Sequence, residues 1–195
     1  AGVAGALNHG LGLVETPYVA RLDADDECFA DDRLATQVSF LEANASIGVV
    51  GGAAISFFEK EDELRRRYVG HPCDPLFLAW PLHFSCHVTH PSIVARTRVL
   101  RDVGGYSESD SVRHAEDYDL WLRLTERDPR ALANLAEPLV WLRKSSTTVS
   151  SKHREQQRQA SVDVATASIR RRLARRVDAS AVAAMRSPSD PGSLE

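Results

Sequence analysis

Between Ile47 and Ile55 the chain reads Ile-Gly-Val-Val-Gly-Gly-Ala-Ala-Ile, without a charged or polar side chain. An apolar run of this length reads as a buried strand, and its glycines mark points where neighbouring groups come close. Other strand-like stretches are residues 18–23, Pro91–Ala95, Ala131–Leu135 and Leu139–Leu142. Helix-period segments separate them. Leu34, Val38 and Leu41 recur on one face up to about Asn44, with Asp31 or Asp32 as the cap. Glu116–Arg127 carries Tyr118, Trp121, Leu122 and Thr125 on one side. Alternating strands and helices predict an α/β layered sheet, in which ligands bind beyond the carboxyl ends of strands.

The remaining segments fit around this frame. Residues 2–9 read as the tail of a helix ended by Gly10. With no strand ahead of it, that pattern suggests a natural domain that starts further upstream. Glu59 to Arg67 reads as a charged, solvated loop, and Pro75 to Phe84 as a short helix broken at Pro81. Arg98 to Val103 reads as a helical turn or two stopped by Gly104-Gly105. From Ser145 the chain is rich in Ser, Gln, Arg and Ala, and Ser145-Ser146-Thr147-Thr148 reads as a loop. Val162, Ala165, Ile169, Leu173 and Val177 then fall at helical spacing opposite Arg170, Arg171, Arg172, Arg175 and Arg176. Such a helix packs on the domain with a solvated basic side; contact with an acidic membrane surface is the alternative. The expected division is a domain over residues 1–145, a helical extension over 146–185 and a disordered tail over 186–195.

Composition narrows the function classes. The 195 residues suffice for one domain with a sizeable core, and a net charge of −3 gives no basis for a nucleic-acid partner. The three cysteines, Cys28, Cys73 and Cys86, form no CxxC pair and suggest no disulfide framework. There is neither a leader pattern nor an apolar run of the ~20 residues needed to span a bilayer. The expected location is the cytoplasm, with the basic helix as the route to a membrane-peripheral one.

Chemistry concentrates in two acidic clusters. Directly behind Tyr18-Val19-Ala20-Arg21-Leu22 come Asp23, Asp25 and Asp26. Strand alternation points Asp23 and Asp25 the same way. Like charges held that close repel unless a cation lies between them, and oxygen ligands of this kind suit Mg2+ or Mn2+ with a substrate phosphate. The plainer reading is an acidic turn that caps the next helix. The second cluster, Glu116 and Asp117, stands where a helix begins. There it either stabilises the first turn through the macrodipole or supplies a general base to a cleft.

Other candidates carry less. His83, Cys86, His87 and His90 resemble a zinc set, but Pro91 and β-branched Val88 and Thr89 disfavour one helix across them. Trp80, Trp121 and Trp141 are either core residues or sugar-stacking platforms. No P-loop and no Gly-x-Ser-x-Gly elbow is found.

Four segments in order resemble the family 2, GT-A type of inverting glycosyltransferase. They are Ala6-Leu7-Asn8-His9-Gly10-Leu11, Leu22-Asp23-Ala24-Asp25-Asp26, His90 to Arg96 followed by Val103-Gly104-Gly105-Tyr106, and Glu116 to Leu124. The likeness covers roughly residues 2–145. It implies a GT-A, Rossmann-related mixed sheet flanked by helices, with the first βαβ elements missing here and a long C-terminal helix added. It implies that Asp25 and Asp23 match the DxD pair that holds Mg2+ or Mn2+ on the donor diphosphate, with Asp26 assisting. Asp117 matches the catalytic base and Glu116 its neighbour on the acceptor side, where His90 also belongs. Arg143 is a candidate donor-phosphate contact. The implied partners are a nucleotide-sugar donor and a glycan, lipid-linked or protein acceptor, in a setting such as cell-envelope polysaccharide synthesis. Two rivals use the same residues: a metal-dependent phosphohydrolase or nucleotidyltransferase, and an inactive remnant that serves as an interaction module.

Overall fold

The computed structural model describes residues 2–60, 63–144 and 153–186. The Ser145–Thr148 loop and the tail after Arg186 lie outside the described residues. Among the described residues six strands form one mixed sheet: β1 (Tyr18–Ala20), β2 (Glu27–Cys28), β3 (Val49–Lys60), β4 (Glu63–Val69), β5 (Val94–Arg96) and β6 (Leu132–Lys144). The order is β1-β5-β3-β6-β2, with β4 paired to β3. The β3–β6 pair is parallel, with Val49 opposite Leu132. The other pairs are antiparallel.

The apolar run lies in the middle of this sheet. Period-2 geometry sends neighbouring side chains to opposite faces. Val49, Ala95 and Leu132 enter a large core, while their neighbours Val50, Val94 and Ala133 join Leu41 and Ile47 in a smaller one. Helix α2 (Arg33–Ala43) covers the smaller core and α5 (Glu116–Arg127) the larger. The glycines lie close against their neighbours, since a Cβ on Gly52 would meet Leu139 Cδ1 at 2.3 Å.

Helix α5 has the predicted bounds, and Tyr118, Trp121, Leu122 and Thr125 are all buried. Pro75 opens α3 (Pro75–Ala79), and Pro81 starts a separate 3-10 turn. Helix α4 (Thr97–Asp102) ends in Gly104 and Gly105, both at positive φ. Trp121 is a core residue, whereas Trp80 is exposed.

Several expectations need correction. Helix α1 (Val3–Leu13) runs straight through Gly10. Leu11 is buried beyond that glycine, and Arg101 donates to the terminal carbonyls of Leu11 and Val14. Of the Glu59–Arg67 stretch, residues 59–60 and 63–67 lie in the antiparallel β3–β4 pair, where Arg66, Arg67 and the following Tyr68 face solvent. Residues 132–142 belong to one strand, β6, not two, and Ala131 lies just ahead of it. Its pairing shifts register opposite Gly52–Ala54, and this accommodates Pro138. The buried stripe of α2 is Arg33, Gln37 and Leu41, while Leu34 is 51% exposed, and Asp32 makes no side-chain cap.

The C-terminal segment forms α6 (Arg154–Leu173) and α7 (Ala179–Arg186). Helix α6 stops at Ala174, which is left-handed, so Val177 falls beyond the predicted helix. Its buried Ala160, Val164 and Ala165 and the Val182 of α7 enter the large core. Arg171 pairs with Glu126 at 2.8 Å, and Arg172 donates to the Thr125 carbonyl at 2.6 Å. Part of the basic side therefore docks α6 onto α5. Among the described residues no helix is long and apolar enough to cross a membrane.

Candidate active site

Strand β1 ends at Ala20, so alternation along a strand does not orient the first acidic cluster. A turn does. The Asp26 amide donates to the Asp23 carbonyl at 3.1 Å, and one oxygen each from Asp23, Asp25 and Asp26 lie within 4.8 Å of one another. Burial raises the Asp26 carboxyl above its ordinary range, and the charges of Asp23 and Asp25 add to the shift. The Arg143 amide opposes that shift by donating to Asp26 Oδ1 at 3.0 Å. Three crowded carboxylates are a donor set suited to a hard divalent cation. Among the described residues no other group of three or more His, Cys, Asp or Glu side chains converges in this way, so the His83–Cys86–His87–His90 zinc arrangement does not form.

The turn is fastened from two sides. Strand β2 pairs Glu27 and Cys28 with Trp141 and Val140 of β6. The Arg143 side chain reaches the Asp25 carbonyl at 3.3 Å and Glu27 at 3.5 Å, and lies 5.2 Å from the Phe57 ring centroid. Arg143 thus binds the carboxylate turn to β6.

The second cluster opens α5. Asp117 Oδ1 accepts from the Tyr118 amide at 2.8 Å. Burial pushes the Asp117 carboxyl above the usual carboxylate range, against that hydrogen bond. The preceding His114 has φ 72, a left-handed conformation at the turn into the helix. Its ring stacks on His153, at the start of α6, with centroids 4.4 Å apart. Burial, together with the Asp117 charge, raises the Cys86 thiol far out of its reactive range.

His90 stands in a 3-10 turn (His90–Ser92), with Nε2 2.8 Å from Tyr106 Oη and its ring against Trp121. Burial, and next the Arg21 charge, lower His90 to about 4, so it is neutral at pH 7. Asn8 of α1 sets Tyr106 in place, accepting from its amide and donating to its carbonyl, both at 2.8 Å.

Asp23, Asp25, Asp26, His90, Glu116, Asp117 and Arg143 all line one cavity of about 530 Å3. Strand ends, the His90 turn and the start of α5 thus meet across a single cleft. Sequence reasoning misses further lining residues: Arg21, His71, His114, Lys144, His153 and Gln157. Only Arg21 leaves a signal, as a charge interrupting an apolar strand run.

Residues 1–103 match the model of the family described as Glycosyl transferase family 2. The chain belongs to that family. Among curated relatives, this family 2 chain is 30% identical to the amylovoran biosynthesis glycosyltransferase AmsE of Erwinia amylovora, over 77% of this chain and 54% of that protein. Among solved structures it is similar to S. aureus TarS, with TM-score 0.59 and 15% identity over 95% of this chain and 50% of the other. A second is the mannosyltransferase PcManGT from Pyrobaculum calidifontis, solved with GDP-Man and Mn2+, with TM-score 0.51 and 16% identity over 94% of this chain and 49% of the other. These neighbours share the GT-A architecture: a mixed sheet flanked by helices. The chain spans between 22% and 54% of the length of the curated relatives it matches.

Proposed function

We propose that this chain carries the reaction centre of an inverting glycosyltransferase that moves a sugar from a nucleotide-sugar donor to an acceptor hydroxyl. The observation that carries the reading is the shared cavity, with three converging carboxylates at one side and the half-buried Asp117 carboxyl at the other. The Mn2+ and GDP-Man bound by the mannosyltransferase neighbour support a cation and a nucleotide sugar as ligands here too.

Asp25 and Asp23, with Asp26, would hold Mg2+ or Mn2+. When bound, the ion acts as a Lewis acid that neutralises charge on the departing nucleoside diphosphate. Asp117 takes the proton from the acceptor hydroxyl as that oxygen attacks the anomeric carbon. A carboxylate raised by burial is a stronger base than one in water, and the Tyr118 amide fixes its orientation. Attack from the face opposite the leaving group inverts the anomeric centre in one displacement, so no enzyme nucleophile is needed. Glu116 and neutral His90 border the acceptor side, while Arg143 and Lys144 border the donor side. The acceptor is a glycan, lipid-linked or protein hydroxyl.

A panel of nucleotide sugars incubated with the protein tests this reading. The expected result is release of nucleoside diphosphate from at least one donor, dependent on Mn2+ or Mg2+, abolished by EDTA and lost in Asp117→Asn. Release of inorganic phosphate instead would identify a phosphohydrolase. No turnover and no donor binding with metal would mark a remnant.

A further inference from the structure

Arg33, the first residue of α2, is 2% exposed, yet every hydrogen-bond partner it has is neutral. A buried guanidinium without a carboxylate is costly unless its donors are well satisfied. Here one nitrogen gathers three backbone carbonyls. Nη2 donates to Arg21 O at 2.9 Å, Pro91 O at 2.9 Å and Ile93 O at 3.4 Å. Nε donates to Gln37 Oε1 at 3.1 Å, one helical turn further on.

Those carbonyls belong to both walls of the cavity. Arg21 leads into the carboxylate turn and pairs with Asp23, while Pro91 directly follows His90. Gln37 provides the contrast. Its Nε2 donates to Val50 O and Ser92 O, both at 2.9 Å, so it holds the His90 turn to β3 without touching the carboxylate turn. We propose that Arg33 is the positioning residue that locks the carboxylate turn against the His90 turn and so sets the spacing between the donor and acceptor sides. The inference rests on the reading of this cavity as a glycosyl-transfer site. The planar fork suits the task, because a lysine ammonium cannot serve the carbonyls and Gln37 together.

The test compares Arg33→Lys with Gln37→Met in the full chain. One readout is amide exchange in residues 21–28 and 89–93, and the other is calorimetry of UDP and GDP with Mn2+. In Arg33→Lys both segments are expected to exchange faster together, and metal-dependent diphosphate affinity to fall roughly tenfold or more, as for loss of a hydrogen bond to a charged group. Gln37→Met removes the Nε acceptor but leaves the three Nη2–carbonyl bonds, so it is expected to lower the melting temperature while affinity and exchange in 21–28 change far less than in Arg33→Lys. Unchanged exchange in either segment of Arg33→Lys overturns the clamp. So does a loss of affinity in Gln37→Met as large as that in Arg33→Lys. A wild type that binds no diphosphate overturns the transferase reading, and exchange still decides the clamp. Should Arg33→Lys fail to fold, the wild type supplies the readout: the Arg33 Nε–H resonance is expected to shift when Mg2+ and UDP or GDP bind, and indifference to a diphosphate that does bind contradicts the proposal.

Discussion

The guanidinium of Arg21 lies 2.5 Å from the Asp23 carboxylate, in the cavity that Asp25 and Asp26 also line. This cation partly neutralises the cluster and competes with any metal for Asp23. Charges a few ångströms apart interact by several kcal/mol at intermediate dielectric. Arg21→Gln is therefore expected to bind Mn2+ alone more tightly, by about threefold or more, and to melt lower without metal. Titration followed by the paramagnetic resonance of free Mn2+ measures the first effect. Weaker Mn2+ binding would show that Arg21 supports the site through structure instead.

Asp117→Asn separates chemistry from binding. Loss of a general base costs roughly 100- to 10,000-fold in rate. Turnover is expected to fall within that range while metal-dependent diphosphate binding persists. Stability is expected to move the other way. A carboxyl raised in the folded state binds protons that the unfolded state has released, so stability declines as pH rises through that interval. Asparagine removes the partly desolvated charge and can still accept from the Tyr118 amide, so the melting temperature at pH 7 is expected to rise. Equal loss of binding and turnover would contradict the assignment.

His90 predicts an acid limb. Its folded value is about 4 against 6.5 in the reference state, so the unfolded chain binds the extra proton between those values. Stability is thus complete above about pH 6.5 and is lost as pH falls towards 4, by up to ~3 kcal/mol from this residue. Urea midpoints across that range check it, and His90→Gln is expected to flatten the dependence. His71, His83 and His87 are also lowered by burial and add to the trend, so the flattening will be partial.

Gly105 links backbone conformation to the His90 wall of the cavity. Its φ is +67, and a Cβ there would meet Asn8 Oδ1 at 2.6 Å. Gly105→Ala is expected to cost about 1–3 kcal/mol and to loosen Tyr106, the partner of His90. Denaturant unfolding measures the cost, and a shifted His90 imidazole resonance reports the loosening. A neutral substitution would show that the Asn8 clamp yields freely.

Legibility in the sequence follows from how local each feature is. Helix α5 is readable to its ends because acidic first-turn residues and an amphipathic period agree over one stretch. The carboxylate cluster is readable as a location but not as a shape, since closure of its turn depends on a backbone hydrogen bond from Asp26. Helix α2 misleads because hydropathy favours Leu34, whereas carbonyls from distant segments bury Arg33 and Gln37. The His114–His153 stack joins α5 to α6, and no spacing rule brings those two residues together. Arg143 is readable as a cavity residue, but its attachment to Asp25 and Glu27 emerges only from pairing between β2 and β6.

A cation held by the carboxylate turn is expected to recruit a nucleoside diphosphate to the cavity shared with Asp117. Calorimetry of UDP and GDP with and without Mn2+, on wild type and Asp25→Ala side by side, measures whether it does. Wild type is expected to bind at least one diphosphate only when Mn2+ is present, and Asp25→Ala to bind none. Metal-independent binding, or full binding by Asp25→Ala, would contradict that expectation.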